Sequence, residues 1–202
     1  MQRKLQLSTD PKINKNINKA KLVFYRLKHI AISLCIVLCY IFTNQASVAM
    51  STAFTLQTTS FTVNSTLPTQ FTCDGKDVSP ELSWQNTPKN TKSLTLVMSD
   101  PDAPLGTFYH WIVYNIPPQT NAFNQGIATL PAGSLVGKND FGHYQYNGPC
   151  PPKGSKHAYH FTLYALDTIL SLHPESVNGE SILKAINQHI IDSVDRVVYY
   201  GR

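Results

Sequence analysis

The sequence predicts a mostly β domain of two packed sheets, with one substantial helix near the C-terminus. Three runs rich in apolar, aromatic and β-branched residues, 94–98, 108–116 and 159–166, have the length and composition of buried strands. Apolar residues recur at helical spacing around 180–190. A chain of this kind buries its sheet faces against each other, with the helix covering what remains.

The predicted strands follow one another along the chain. Residues 53–62, rich in Phe, Thr and Val, predict an opening strand or hairpin. The run 94–98 is apolar on both alternating faces, which predicts a central strand buried on both sides. The runs 108–116 and 159–166 each stop at turn formers, so they predict two further core strands. A last strand is predicted over 194–200.

The helix is predicted between the last two of these strands. Asn178 is a suitable N-cap, and Glu180 lies in the first turn. The apolar face at helical spacing consists of Ile182, Leu183, Ile186 and Ile190.

Residues 139–154 predict a long structured loop. The segment holds Gly142, Gly148, Pro149, Pro151, Pro152 and Gly154, a density that no regular element tolerates. Its aromatic residues favour packing over disorder, and structured loops of this length are usually functional.

The N-terminus has the order of a secretory signal peptide. Eight Lys and Arg residues precede an apolar run of thirteen residues at 30–42. A membrane-spanning helix needs about 20 residues, so a cleaved leader over residues 1–49 is the better interpretation. Cleavage is expected after Ala49, since Ser47 and Ala49 are small; an uncleaved anchor is the alternative. We therefore expect a periplasmic or secreted protein without a stable membrane span, with residues 50–202 as a single domain.

Removing the leader also removes the positive charge. From Met50 onward nine Lys and Arg residues stand against eleven Asp and Glu residues, a net charge of −2. The folded part therefore offers no basic surface for a nucleic-acid partner.

Cys73 and Cys150 are the cysteines that remain after cleavage. An exported compartment permits them to pair as a disulfide. Two separately buried thiols are the alternative, and the sequence leaves both open.

The first polar segment follows the predicted central strand. Asp100 and Asp102 lie in a stiff turn, because Pro101 and Pro104 restrict the backbone around them. His110 lies near the start of the next predicted strand. An aspartate that accepts its ring N–H would fix its tautomer and raise its pKa, which would make the imidazole an anion ligand. A core histidine bonded to a backbone carbonyl is the alternative.

The second polar segment runs from Gly148 through Pro152 to His157 and Tyr159. A backbone N–H at a glycine, an imidazole and a phenol together suit a phosphate or a carboxylate. The carboxylates and imidazoles of both segments could also hold a metal, although nothing fixes a coordination geometry and no metal is expected.

Several uncommon motifs occur in a characteristic order and spacing. They are Asp100-Pro101-Asp102-Ala103-Pro104, His110-Trp111, Asn139-Asp140-Phe141-Gly142, Gly148-Pro149-Cys150-Pro151-Pro152, His157-Ala158-Tyr159 and Tyr164-Ala165-Leu166-Asp167. Together they resemble the phosphatidylethanolamine-binding protein family, in its bacterial Raf-kinase-inhibitor-like branch. The likeness extends from about Phe54 to the terminal Tyr200-Gly201-Arg202.

The resemblance implies two antiparallel sheets with short peripheral helices and a small pocket at one end. Such pockets bind phosphate-like anions and phosphorylated headgroups such as phosphorylethanolamine. The family's pattern assigns Asp100, Asp102 and His110 to one wall and Gly148, Pro152, His157 and Tyr159 to the other. It implies no cofactor and no established catalytic activity, and relatives act as regulators of kinases or proteases.

The chain departs from the family's pattern in the second segment. Gln145 and Asn147 replace glycines, and Ala158 replaces an arginine, which removes a positive charge near the pocket and predicts weak affinity. Two alternatives to a ligand-binding protein remain. One is an interaction protein whose partner is another protein; the other is a hydrolase in which an Asp–His pair activates water or Ser99. Neither the Gly-x-Ser-x-Gly nor the His-Glu-x-x-His template occurs in the sequence.

Overall fold

The structure is a computed structural model that describes Tyr25, Lys28 and residues 53–202. The predicted leader, its apolar run at 30–42 and its cleavage after Ala49 lie outside the described residues. Within the described part, no helix is both long enough and apolar enough to cross a membrane.

Residues 53–202 fold into two antiparallel sheets and one α-helix, as the sequence predicts. The strands are β1 (Thr55–Gln57), β2 (Leu82–Gln85), β3 (Ser93–Asp100), β4 (Phe108–Ile116), β5 (Ala122–Phe123), β6 (Leu135–Val136), β7 (Lys156–Leu166) and β8 (Ile190–Gly201). The helix is α1 (Gly179–Ile186), and short 3-10 helices occur at Thr69–Phe71 and Pro174–Ser176. The small sheet has the order β1-β2-β5, and the large sheet has the order β6-β4-β3-β7-β8.

The core lies between the two sheets. Leu56 and Trp84 of the small sheet pack with Leu96, Met98 and Phe161 of the large sheet, and all five are buried. The indole N–H of Trp84 is paired as well, since it donates to a backbone carbonyl at 2.7 Å. Burying each such side chain stabilises the fold by about 1.5–3 kcal/mol.

The helix covers part of the outer face of the large sheet. Ile182 and Ile186 of α1 pack with Val97 of β3, so this central strand is buried on both sides as predicted. The N-cap at Asn178 is confirmed: its side chain accepts a hydrogen bond from the Ser181 N–H, and the Ser181 hydroxyl accepts one from the Asn178 N–H.

Three predicted boundaries are wrong by four residues or more, namely the end of the helix, the start of the last strand and the end of the opening strand. The helix ends at Ile186, and Ile190 begins β8, which pairs with β7 along its length. This long antiparallel ladder outweighs the helical spacing of one apolar residue. The opening strand spans only Thr55–Gln57, because Thr58 turns away and its hydroxyl donates to the carbonyl of Glu81.

Candidate functional site

A cavity of about 180 Å³ opens where β3 ends and where β4 and β7 begin. Five of the predicted site residues line it, namely Asp100, His110, Pro152, His157 and Tyr159. Its other lining residues are Ala103, Pro104, Phe108, Phe141, Cys150 and Pro151. The cavity therefore combines an apolar and aromatic wall with a small group of titratable side chains.

Asp100 and His157 form the buried ion-pairing unit of the cavity. The His157 Nδ1 and the Asp100 Oδ2 are 2.7 Å apart, and both side chains are less than a tenth exposed. Since a carboxylate only accepts, the Nδ1 carries the proton and the Nε2 is the ring nitrogen that remains for a ligand. A carboxylate in this position fixes the tautomer and the orientation of the imidazole.

Asp102 braces this pair from outside the cavity. Its backbone N–H donates to the Asp100 Oδ1 at 2.9 Å, and its Oδ2 accepts the backbone N–H of Ala158 at 2.8 Å. It does not line the cavity, in contrast to the wall position that the resemblance implied. Ala158 takes part through its backbone alone, so the loss of an arginine there leaves this contact intact.

His110 reaches the cavity through a β-bulge. Met98 pairs with Trp111 and Ser99 pairs with Tyr109, so His110 is an extra residue in β4 opposite β3. A bulge breaks the alternation of a strand and re-aims a side chain. Here the imidazole packs against the rings of Phe108 and Phe141, with centroids 5.1 and 5.4 Å away.

The prediction that an aspartate orients His110 is wrong. Its Nδ1 lies 2.8 Å from the carbonyl oxygen of Asn147, to which it donates. Burial lowers the pKa of this imidazole, and the opposing effects of the Asn147 carbonyl and the Asp100 charge are smaller. His110 is therefore held as a neutral ring whose Nε2 is a hydrogen-bond acceptor.

Tyr159 contributes a buried phenol between the two histidines. Its ring centroid is 5.3 Å from that of His110 and 6.4 Å from that of His157. Within residues 53–202 its hydroxyl makes no hydrogen bond of ordinary length, although the Asp100 carboxylate lies near enough to interact with it weakly. Burial, followed by the negative charge of Asp100, raises the pKa of this phenol, so it stays protonated and can donate.

Gly148 anchors the loop. It does not line the cavity, in contrast to the wall position that the resemblance implied. The backbone N–H of Gly148 donates to the Asp77 Oδ1 at 2.6 Å, and the Asn147 amide donates to the Asp77 Oδ2 at 3.1 Å. A Cβ at Gly148 would collide with the backbone carbonyl of Phe71. The glycine is thus required for close packing of two chain segments.

Sequence reasoning missed Asn139 as a positioning residue. It is buried, and its amide group donates to the backbone carbonyls of His110 and Gln145 and to the Asn147 side chain, at 2.9–3.2 Å. Its Oδ1 also accepts the backbone N–H of His143. Its place in the Asn139-Asp140-Phe141-Gly142 motif was the available signal, but its role depends on how the loop folds back onto β4, since its partners lie between 4 and 29 positions away.

A disulfide joins Cys73 and Cys150 at the cavity rim. The two cysteines are therefore paired and are not the separately buried thiols that the sequence left as an alternative.

Arg202 was also missed as a contributor to this rim. Its Nε donates to the Pro151 carbonyl at 2.6 Å, and its guanidinium lies 3.1 Å from the Asp74 carboxylate. The chain terminus therefore closes onto the segment that lines the cavity.

Within the described residues, no group of three or more His, Cys, Asp and Glu side chains is arranged to hold a metal ion. The two carboxylates and two imidazoles of the polar segments are instead divided, since Asp100 pairs with His157 while Asp102 and His110 each bond to backbone groups.

A sequence profile described as phosphatidylethanolamine-binding protein matches residues 57–201. The chain belongs to this family. A UPF0098 protein of Methanothermobacter thermautotrophicus is 41% identical over 150 residues, which cover 73% of this chain and 98% of that protein. The family membership predicted from the motifs is therefore confirmed.

Solved structures of family members have the same fold. The phosphatidylethanolamine-binding protein homologue CT736 of Chlamydia trachomatis is similar with a TM-score of 0.69 at 36% identity, over 75% of this chain and 99% of that one. YbcL of Escherichia coli, a member of the same family, is similar with a TM-score of 0.70 at 30% identity, over 74% and 98% of the two chains.

Proposed function

We propose that the cavity binds a small phosphate-type anion, either inorganic phosphate or a phosphorylated headgroup such as phosphorylethanolamine. The observation that carries this proposal is the Tyr159 hydroxyl, which is buried beside two histidines and makes no hydrogen bond of ordinary length in residues 53–202. A buried donor without a partner costs about 1–3 kcal/mol, so such a group is retained where a ligand satisfies it.

The donors and acceptors of the cavity suit a phosphate that carries a proton. The Tyr159 hydroxyl donates, and the His157 Nε2 is the ring nitrogen left for the ligand, because its Nδ1 pairs with Asp100. The His110 Nε2 accepts, because its Nδ1 proton is committed to Asn147. Inorganic phosphate supplies oxygen acceptors and keeps a P–OH donor near neutral pH, whereas a phosphate monoester, whose second pKa is about 6, keeps its P–OH mainly below that pH.

The size of the cavity limits the ligand to a headgroup. Its volume of about 180 Å³ is below the range of about 300–1,000 Å³ that drug-sized ligands occupy. Pro104, Phe108, Phe141 and Pro152 add an apolar wall that a short alkyl substituent can contact. The affinity is expected to be weak, since no Lys or Arg lines the cavity.

Calorimetric titration of the protein with phosphate and with O-phosphorylethanolamine tests the proposal. We expect at least one of them to bind with a Kd below about 10 mM. Tyr159→Phe should weaken binding roughly tenfold or more, because a hydrogen bond to a charged ligand is lost. The same change should leave the melting temperature no lower, because it removes an unpartnered polar atom.

Tyr199→Phe is the matched control, since this tyrosine lies on β8 and does not line the cavity. Its affinity should equal that of the unchanged protein. Absence of binding by both ligands, or an unchanged affinity in Tyr159→Phe, would contradict the proposal.

The alternative of a hydrolase that uses Ser99 in this cavity loses its support. Asp100 faces the cavity, and Ser99, its neighbour in β3, points to the opposite face of the sheet. Export of the protein and regulation of a kinase or a protease through the cavity remain predictions. Capture of a protein partner that competes with phosphate would support the latter.

A further inference from the structure

A second set of reactive side chains lies on the outer face of the large sheet, away from the anion cavity. Ser99 of β3 is paired in register with His160 of β7 on one side and with Tyr109 of β4 on the other. Directly opposed residues of antiparallel strands share a face, and their Cα atoms are about 4.5–5.5 Å apart. The three residues line one cavity of about 250 Å³.

We propose that this outer cavity is a second site, at which Ser99 acts as a nucleophile toward small activated acyl esters, with His160 as its general base and Asp195 as the positioning carboxylate. Nucleophile, base and carboxylate then follow one another across β3, β7 and β8. Serine acyl transfer uses the same sequence of nucleophile, base and carboxylate. Here the three residues lie on neighbouring strands of one sheet.

The base and its carboxylate are already in hydrogen-bonding geometry. The His160 Nδ1 lies 2.7 Å from the Asp195 Oδ2, so the Nδ1 proton is donated to Asp195 and the Nε2 is left as the basic nitrogen. The other oxygen of the same carboxylate accepts the Thr162 hydroxyl at 2.9 Å. Two hydrogen bonds therefore hold Asp195 in place, and Asp195 in turn holds the imidazole.

The Ser99 hydroxyl has no competing hydrogen bond within residues 53–202 that would keep it from the His160 ring. Within residues 53–202 the Ser99 hydroxyl takes part in no hydrogen bond, and Ser99 is half-buried next to His160. Rotation about χ1 is the movement that brings a serine oxygen onto a neighbouring ring nitrogen. Catalytic hydrogen bonds are often longer in ligand-free proteins and tighten when the substrate binds.

The remaining wall of the outer cavity suits an acyl group. Val97 and Leu183 provide apolar contacts for a short alkyl chain. Thr107 and Tyr109 are hydroxyl donors in the same lining, and burial raises the pKa of the Tyr109 phenol, which keeps it protonated. A side-chain hydroxyl is one of the groups that stabilise the oxyanion of an acyl-transfer intermediate.

The reaction balances without a cofactor. The Ser99 oxygen forms a bond to the ester carbonyl carbon while its proton passes to the His160 Nε2. The ester C–O bond then breaks, and the leaving alcohol takes that proton. Water attacks the acyl-serine by the same route, which releases the carboxylic acid and restores the serine hydroxyl.

Covalent labelling of the full chain with a fluorophosphonate, followed by peptide mass mapping, tests the proposal. We expect one adduct, on Ser99, and none in Ser99→Ala. We expect a burst of 4-nitrophenol from 4-nitrophenyl acetate that Ser99→Ala lacks. His160→Asn should slow labelling about 100-fold or more, the usual contribution of a general base.

Matched variants separate catalysis from strand pairing. His189 and Asp167 form a similar exposed pair at 2.8 Å outside the outer cavity, so His189→Asn should label at the normal rate. Asp195→Asn should slow labelling at least tenfold, because the carboxylate that orients the His160 ring is lost.

Absence of an adduct on Ser99 in the folded protein would overturn the proposal. Labelling of Ser99 at the same rate in His160→Asn would also overturn it, because the His160–Asp195 pair would then serve only to join β7 to β8. Binding of phosphate is independent of these outcomes, because the two cavities share no lining residue.

Discussion

The bond between Cys73 and Cys150 joins two residues that are 77 positions apart, and it ties the cavity rim to the segment after the first 3-10 helix. The Cys73 N–H also donates to the Pro149 carbonyl at 3.2 Å, so backbone and side chains fasten the same two segments. One consequence concerns stability, because the cross-link restricts a long loop in the unfolded chain.

Replacing both cysteines by serine should lower the free energy of unfolding by about 2–5 kcal/mol, the range for native disulfides. Urea unfolding with and without a dithiol reductant measures this. The reductant should destabilise the unchanged protein and have no effect on the double variant. Equal stabilities of the two proteins without reductant would show that the bond is not formed in solution.

Acid should weaken the fold in part through His110. Because burial lowers the pKa of this imidazole in the folded state, the unfolded chain takes up a proton at a higher pH than the folded one. The free energy of unfolding should therefore fall as the pH drops below about 6.5, by at most about 1.4 kcal/mol per pH unit for this group. The loss ends once the pH passes the lowered pKa.

Urea unfolding at a series of pH values between 7.5 and 5 checks this effect. In His110→Asn, whose amide can still donate to the Asn147 carbonyl, the slope with pH should be smaller than in the unchanged protein. An identical slope in both proteins would contradict a buried neutral His110.

The anion cavity should prefer phosphate to sulfate at pH 7.5. Sulfate carries no proton, so its oxygens would face the lone pair of the His110 Nε2, whereas a protonated phosphate donates to that nitrogen. The preference should narrow only once the pH is low enough for His110 to gain a proton, and burial shifts this to a lower pH than for a free histidine. Competition calorimetry at pH 7.5 and 5.5 measures it, and equal affinities at pH 7.5 would contradict the neutral, accepting state of His110.

Asp77 should support binding without lining the cavity. Asp77→Ala removes the acceptors of the Gly148 N–H and the Asn147 amide, and a buried group left unpaired costs about 1–3 kcal/mol. Asn147 also carries the carbonyl that orients His110. We therefore expect lower stability and a several-fold weaker phosphate affinity, even though a negative charge has been removed.

Glu175→Ala is the charge-matched control for this variant, because Glu175 is exposed in the second 3-10 helix, outside the cavity lining. Its phosphate affinity, measured by the same titration, should be unchanged. Tighter phosphate binding in Asp77→Ala would contradict the prediction, because the removed negative charge would then matter more than the position of the loop at Asn147 and Gly148.

The long strands and the helix of this protein could be predicted from residues that are close together in the chain. The run 94–98, apolar on both faces, predicted a strand that is buried on both sides, and the run 108–116 matches β4 residue for residue. The N-cap at Asn178 was also predictable, because capping depends on residues three positions apart. Periodicity and capping act within a few residues, so they can be recognised without the fold.

The pairing of polar groups could not be predicted from the chain, because it depends on how distant strands pack. Asp100 pairs with His157, 57 positions away, and not with His110 as predicted, because the extra residue in β4 turns the His110 ring toward Asn147. The alignment of Ser99 with His160 has the same origin, since it follows from the register of β3 against β7. Strand register and bulges arise from packing over the whole sheet, and a one-residue shift would move every one of these side chains to the opposite face.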